Sequence, residues 1–304
     1  MMEAVQLADA CSRHYGLSQM PFGLTPNTDF YVDLPSQRQA FEMLRYALSS
    51  GEGFIKVTGE VGTGKTMLCR RLLNHLDQDN VLTAYIPNPA VSAEGLWQAI
   101  AREFSLPLAS NPDTAEIRAN IEAFLLQQAR QLRRVVLIID EAQSMPDDTL
   151  EALRLVSNLE TEKQKLIQIV LFGQPELDDK LAQPHLRQLC QRITSSSRLN
   201  PLGDDESLSL YLQQRMCLAG YKGLPVFQRN AIRQLWKATQ GVPRLVNIIA
   251  AKALLVGYGA GTQQLSARHI GLAIRDTEFA HKPGAVAIRW PYLLLLAMTA
   301  VVCL

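Results

Sequence analysis

Apolar residues fall along this chain in two alternating rhythms. Four short runs are apolar almost throughout: GFIKVT (53–58), VLTAYI (81–86), RVVLIID (134–140) and LIQIVLFG (166–173). Their aliphatic and β-branched content predicts strands buried on both faces. Between them apolar positions recur three or four apart, at Leu68, Leu72 and Leu76, at Leu96, Ile100 and Phe104, at Ile117, Ile121 and Leu125, and at Leu150, Leu153 and Val156. That spacing predicts helices with one core-facing stripe. Strands alternating with helices predict an α/β fold with a mainly parallel sheet covered on both sides. After Pro201 the strand signal stops. Helical spacing alone continues, through Leu208, Leu212 and Met216, Ala231 and Leu235, and Leu245, Ile249 and Ala253, so a second, all-helical unit is expected.

Composition narrows this picture only in places. The 304 residues suffice for about two compact units. With 47% hydrophobic and 19% charged residues the chain is no disordered tail protein. Thirty Lys and Arg against 29 Asp and Glu leave a net charge of +1, so no global basic field draws it to nucleic acid, although a local patch stays open. Cys11, Cys69, Cys190, Cys217 and Cys303 are scattered, without a C-x-x-C pair, which predicts reduced thiols and a cytosolic body. The first residues lack the basic start and apolar core of a secretory signal. Near the other end, Trp290 to Leu304 carries no charge and follows Arg275, Lys282 and Arg289. As a helix, that run reaches about 23 Å against a hydrocarbon core of about 30 Å, so a span would have to take in Ala285 to Ile288 and a snorkelling Arg289. We expect an apolar tail at the inner membrane with its basic side cytoplasmic, the alternative being a helix buried on the protein itself.

The chemistry concentrates after the first predicted strand. GEVGTGKT, Gly59 to Thr66, fits G-x-x-x-x-G-K-[ST] at every fixed position and precedes an amphipathic helix. Gly59, Gly62 and Gly64 free the backbone to turn its N–H groups inward, towards the positive helix end. A polyphosphate fits there. The expected nucleotide-binding set is Gly59, Glu60, Val61, Gly62, Thr63, Gly64, Lys65, Thr66 and Met67, with Lys65 on the β- and γ-phosphates and the Thr66 hydroxyl on Mg²⁺.

RVVLIIDEAQ places Asp140 and Glu141 at a strand's carboxyl end. Asp140 is expected to hold Mg²⁺, and Glu141 to orient and deprotonate the water attacking ATP. The next strand ends in Gln174, placed to hydrogen-bond the γ-phosphate or that water. From Lys180 to Gly203 there is no acid, yet Arg187, Arg192 and Arg198 are present; any of them could neutralise charge on a transferring phosphoryl group or lie on the surface. In the helical unit, GVPRLVN sets Arg244 at a proline-fixed helix start.

The phosphate loop, DEAQ, GQPEL, LRQLCQRI and GVPRLVN occur in an order that resembles the AAA+ ATPases of the general-secretion-pathway protein A type. The likeness runs over about residues 14 to 280, from the opening HYGLSQMPFGLTPNTDFYVDLPSQRQAFEML, and is nearest to the pilus-biogenesis members of the MSHA system. The resemblance implies a P-loop AAA+ core with a C-terminal helical lid. Domains follow at 1–35 (a segment packing on the ATPase core), 36–202 (the ATPase domain), 203–280 (the lid) and 281–304 (a basic linker and apolar tail). It further implies Gln174 as first sensor, although AAA+ proteins commonly carry Asn or Thr there, Arg192 as arginine finger and Arg244 as second sensor; Pro21 and Phe22 are candidates for the adenine pocket, although apolar residues there are more often plain core. Implied with these are ATP, Mg²⁺, a homo-oligomer, and pilus or secretion components as partners at the inner membrane. The peptidoglycan-binding region of longer secretion proteins is not found in these residues, so its function is not carried over. The other reading is a DNA-binding AAA+ regulator like those of transposition or replication initiation; the charge of +1 speaks against it.

Overall fold

A computed structural model describes residues 2–280 apart from 24, 26, 80, 108–112, 162–163 and 278–279, with side chains from residue 6 onward. The expected tail at 281–304 lies outside the described residues, and among those described no helix is long and apolar enough to cross a membrane. In chain order the elements are α1 (Met2–Tyr15), α2 (Pro35–Ser49), β1 (Phe54–Gly59), α3 (Lys65–Gln78), β2 (Leu82–Ile86), α4 (Ala93–Glu103), α5 (Thr114–Arg130), β3 (Val135–Ile139), α6 (Asp147–Val156), β4 (Gln168–Gly173), α7 (Glu176–Leu181), α8 (Arg187–Cys190), β5 (Ser195–Leu199), α9 (Asp205–Leu218), α10 (Arg229–Thr239), α11 (Pro243–Gly259) and α12 (Ala267–Arg275).

The strands form one sheet in the order β2-β3-β4-β1-β5, every pairing parallel. Both faces are buried, as the continuous apolar runs require. Ile55, Val57, Val136, Ile138, Val170 and Phe172 meet α2 and α3 on one side; Leu137, Ile139, Ile169 and Leu171 meet α4 to α6 on the other. β5 corrects the expectation of four strands. Its sequence, SSSRL, has no apolar run because it lies at the sheet edge, beside β1 alone, with only Leu199 fully buried.

Helices α9 to α12 form the second unit around Leu212, Leu235, Ile249 and Ile270. Asp204 starts α9 by accepting from the Ser207 N–H at 2.7 Å, and Pro243 opens α11. The N-terminal segment belongs here too. Cys11, Tyr15, Leu17, Phe22, Phe30, Val32 and Leu34 are buried in the lid's core, while Tyr31 and Asp33 hold Arg71 of α3, so the segment expected on the ATPase core packs on both units. Tyr15 donates to the carbonyls of Leu254 and Thr262, both at 3.2 Å, fastening α1 to the lid.

Candidate active site

Strand β1 delivers the chain at Gly59 into a loop that turns twice through positive φ, at Gly62 (84°) and Gly64 (98°), before α3 begins at Lys65. Glycine is required at both. A Cβ on Gly62 would lie 2.7 Å from Cβ of Arg244, and one on Gly64 2.4 Å from Nε2 of Gln37. The first N–H groups of α3 therefore face the loop's concavity without a side-chain cap, as an anion site needs. The Lys65 ammonium is buried and donates to the carbonyls of Gly59 at 2.7 Å and Glu60 at 3.2 Å. Burial lowers its pKa, against the fields of Glu141, Asp140, Glu60 and Glu176.

The carboxyl ends of β1, β4 and β3 lie side by side, so Gln174 stands between the phosphate loop and the acidic pair. The Thr66 hydroxyl donates to Oδ2 of Asp140 at 3.1 Å. Burial raises the Asp140 pKa, while that bond and the one from the Glu141 N–H to Oδ1, 2.9 Å, oppose the rise. Glu141 is held at φ 52°, left-handed backbone that a residue with a Cβ adopts at a cost. Its Oε2 accepts from Nε2 of Gln143 at 2.6 Å and from Nε2 of Gln174 at 3.2 Å.

Among the described residues no group of three or more His, Cys, Asp or Glu could hold a metal ion. The donor set still suits Mg²⁺, which takes one or two protein oxygens and completes its shell with water and phosphate. Thr66 and Asp140 already lie side by side, joined by that hydrogen bond.

On the lid side, the Arg244 N–H donates to the Gly62 carbonyl at 3.2 Å and its exposed side chain borders the cleft. This cleft, 370 Å³, is lined by Lys65, Thr66, Met67 and Glu141 together with Tyr31, Tyr211 and Arg215. Pro21 and Phe22 do not line it, in line with the core reading of the two: Phe22 packs edge-on to Phe227 in the lid core, and the Pro21 carbonyl accepts from Nε of Arg215 at 2.8 Å. Phe30, Tyr31, Val32 and Leu34 take their place. Arg192 precedes β5 at the sheet's amino end, where it donates to Oγ of Ser157 at 3.0 Å. The length of β5, roughly 15 Å at about 3.3 Å per residue, separates that level from the phosphate loop of the same chain. Arg187 is exposed, and Arg198 lies 3.9 Å from Glu60.

Three contributors escaped the sequence reading. Gln37 braces the phosphate loop by donating to the Thr63 carbonyl at 3.1 Å. Gln143 stands in the quoted DEAQ with no role assigned, and Arg215 is buried on the same stripe of α9 as Leu208, Leu212 and Met216. Two of them gave a signal, Gln143 through its place two residues after Glu141 and Arg215 through its place three residues after Leu212.

Residues 47–181 match the family model for the AAA domain. General secretion pathway protein A of Aeromonas hydrophila is 37% identical over 273 residues, which cover 90% of this chain and 49% of that protein. The chain thus spans about half the length of this curated relative. Solved structures are alike in fold. Cdc6p from Pyrobaculum aerophilum has a TM-score of 0.63 at 18% identity, over 81% of this chain and 68% of its own. The ORC2 protein of Aeropyrum pernix in its ADPNP-ADP complexes has 0.58 at 18%, over 80% and 67%. The RuvB Holliday junction branch migration motor of Thermotoga maritima has 0.54 at 15%, over 85% and 73%. The parallel sheet and phosphate loop are thus those of an AAA-domain fold, and the chain is related to General secretion pathway protein A over 90% of its own length.

Proposed function

We propose that the protein is an AAA+ ATPase that hydrolyses ATP at interfaces between its own copies and uses the resulting lid movement to assemble or position a cell-envelope machine. The machine we infer is a type IV-like MSHA pilus or a related secretion system, served from the cytoplasmic face of the inner membrane. The observation that carries the catalytic part is the convergence of Lys65, the Thr66–Asp140 pair and Glu141 on the cleft beneath Arg244. Lys65 leaves the loop carbonyls for the β- and γ-phosphate oxygens, Glu141 takes the proton of the attacking water, and Gln174 steadies that water or the γ-phosphate. Thr66 and Asp140 would hold Mg²⁺, which would neutralise phosphate charge when bound. Arg192, remote from its own phosphate loop, serves a neighbouring copy, with Arg187 the next candidate. The cellular part rests on the relationship to the secretion protein and, for the membrane, on the uncharged run from Trp290 behind Arg289.

The test separates binding from turnover. Lys65→Ala should weaken binding of a fluorescent ATP analogue, whereas Glu141→Gln should bind as the parent does and lose at least about 10²-fold in hydrolysis, the range for a general base. Parental turnover in Glu141→Gln would remove Glu141 from the chemistry. Stimulation of hydrolysis by duplex DNA, and not by membranes carrying the pilus platform, would move the reading to the DNA-binding class.

A further inference from the structure

Glu141 is held at its main chain and at its carboxylate. Its N–H donates to Asp140 Oδ1 at 2.9 Å, and its carbonyl accepts from both the N–H and the hydroxyl of Ser144, at 2.9 and 2.8 Å. These bonds hold a backbone at φ 52°. They fix where the side chain leaves the main chain, but not how the carboxylate is turned. That is fixed by Gln143, whose amide bonds at both ends. Its Nε2 donates to Glu141 Oε2 at 2.6 Å, and its Oε1 accepts from the backbone N–H of Gln174 at 3.0 Å. The second bond crosses from the β3 end to the β4 end, and an amide whose oxygen is held by an N–H can offer only its nitrogen to the acid.

We propose that Gln143 is the positioning residue for ATP hydrolysis: it ties Glu141 to the end of β4 and aims the carboxylate at the attacking water. The inference rests on the reading of Glu141 as general base. Gln174 reaches the same Oε2 with its side chain, at 3.2 Å, while its backbone anchors Gln143. The Gln174 side chain can therefore turn to the γ-phosphate or water without releasing the acid, since Gln143 keeps both of its bonds. Two donors on Oε2 leave Oε1 to accept the proton from water. The Glu141 charge acts on Lys65 and Asp140, and neither makes a hydrogen bond to its carboxylate.

Two variants of Gln143 and a double variant test this. Gln143→Met fills the same length and makes neither bond; Gln143→Glu keeps an acceptor for the Gln174 N–H and loses the donor to Glu141. Both should bind a fluorescent ATP analogue within about twofold of the parent and turn over about tenfold or more slower, a split in kcat with KM little changed. In a Glu141→Gln background, Gln143→Met should add no further loss, because a residue acting through another has nothing left to position. A disturbance of packing would instead multiply the two losses. Parental kcat in Gln143→Glu, or full multiplication in the double variant, overturns the proposal. Should Gln143→Met fail to fold, Gln143→Glu, nearly isosteric, carries the kcat test alone. The premise fails separately: parental turnover in Glu141→Gln alone would remove the base, whereas a slow Glu141→Gln beside a fast Gln143→Glu would remove only the positioning role.

Discussion

Asp140 illustrates how a site residue serves chemistry against stability. It is 3% exposed, and burial pushes its carboxyl above the ordinary 3.8, more than Thr66 and the Glu141 N–H pull it down. A carboxyl whose folded pKa is raised stabilises the fold fully only while protonated, below 3.8. That contribution is lost as pH rises through the folded value, so at neutral pH the ionised group is a liability in the empty protein. Asp140→Asn keeps the shape and removes the charge. In calorimetry at pH 7 without nucleotide, this variant should melt above the parent, by roughly 2–4 °C for each 1 kcal/mol, and lose Mg²⁺-dependent hydrolysis. The gap in melting temperature should close as pH falls below 3.8. A parent that melts higher at pH 7 would mean the ionised carboxylate is net stabilising through Thr66 and Lys65.

At the level of elements, legibility followed the range of the signal. β1, β3, β4 and the phosphate loop were readable because both faces of a central parallel strand are buried and because the loop's chemistry is compressed into eight consecutive residues. The edge strand β2 was readable from its own apolar run, LTAYI, whereas the edge strand β5, SSSRL, has none and is fully buried at Leu199 alone. Gln143 was only half legible, for a different reason: its place two residues after Glu141 is in the sequence, but the bond that defines its role runs to a strand end 31 residues away, which spacing within DEAQ does not reveal. The position of Arg192 before β5 carries its own prediction. Since the strand separates it from its own phosphate loop, the guanidinium must leave Ser157 to serve a neighbouring site. Arg192→Ala should bind ATP nearly as the parent does and hydrolyse it about 10³-fold more slowly. Mixing it with Lys65→Ala chains, whose arginines are intact, should restore turnover at mixed interfaces. Two variants that co-assemble and stay inactive would exclude Arg192 as a finger acting in trans and bring Arg187 forward.

Across the whole molecule the nucleotide cleft is the place where three parts meet: the sheet domain, the lid and the N-terminal segment. The segment is anchored in the lid through α1 and then crosses to the sheet domain, where Arg71 of α3 receives it. The Arg71 guanidinium donates to the Tyr31 hydroxyl at 2.7 Å and to Asp33 Oδ1 at 3.2 Å, and stacks over the rings of Tyr31 and Phe41 at 4.4 and 4.0 Å. Tyr31 in turn lines the cleft together with Phe30 and Val32. The segment's path therefore shapes this wall of the pocket. Arg71→Met keeps much of the stacked volume and loses the charge-assisted bonds, worth roughly 1.5 kcal/mol, or about tenfold in affinity. Steady-state kinetics should then show KM for ATP about tenfold higher with kcat within twofold of the parent, the pattern of binding lost equally from ground and transition states. A fall in kcat at unchanged KM would mean instead that the clasp between Arg71 and Tyr31 transmits closure of the lid to the acid, and that this wall of the pocket takes part in turnover.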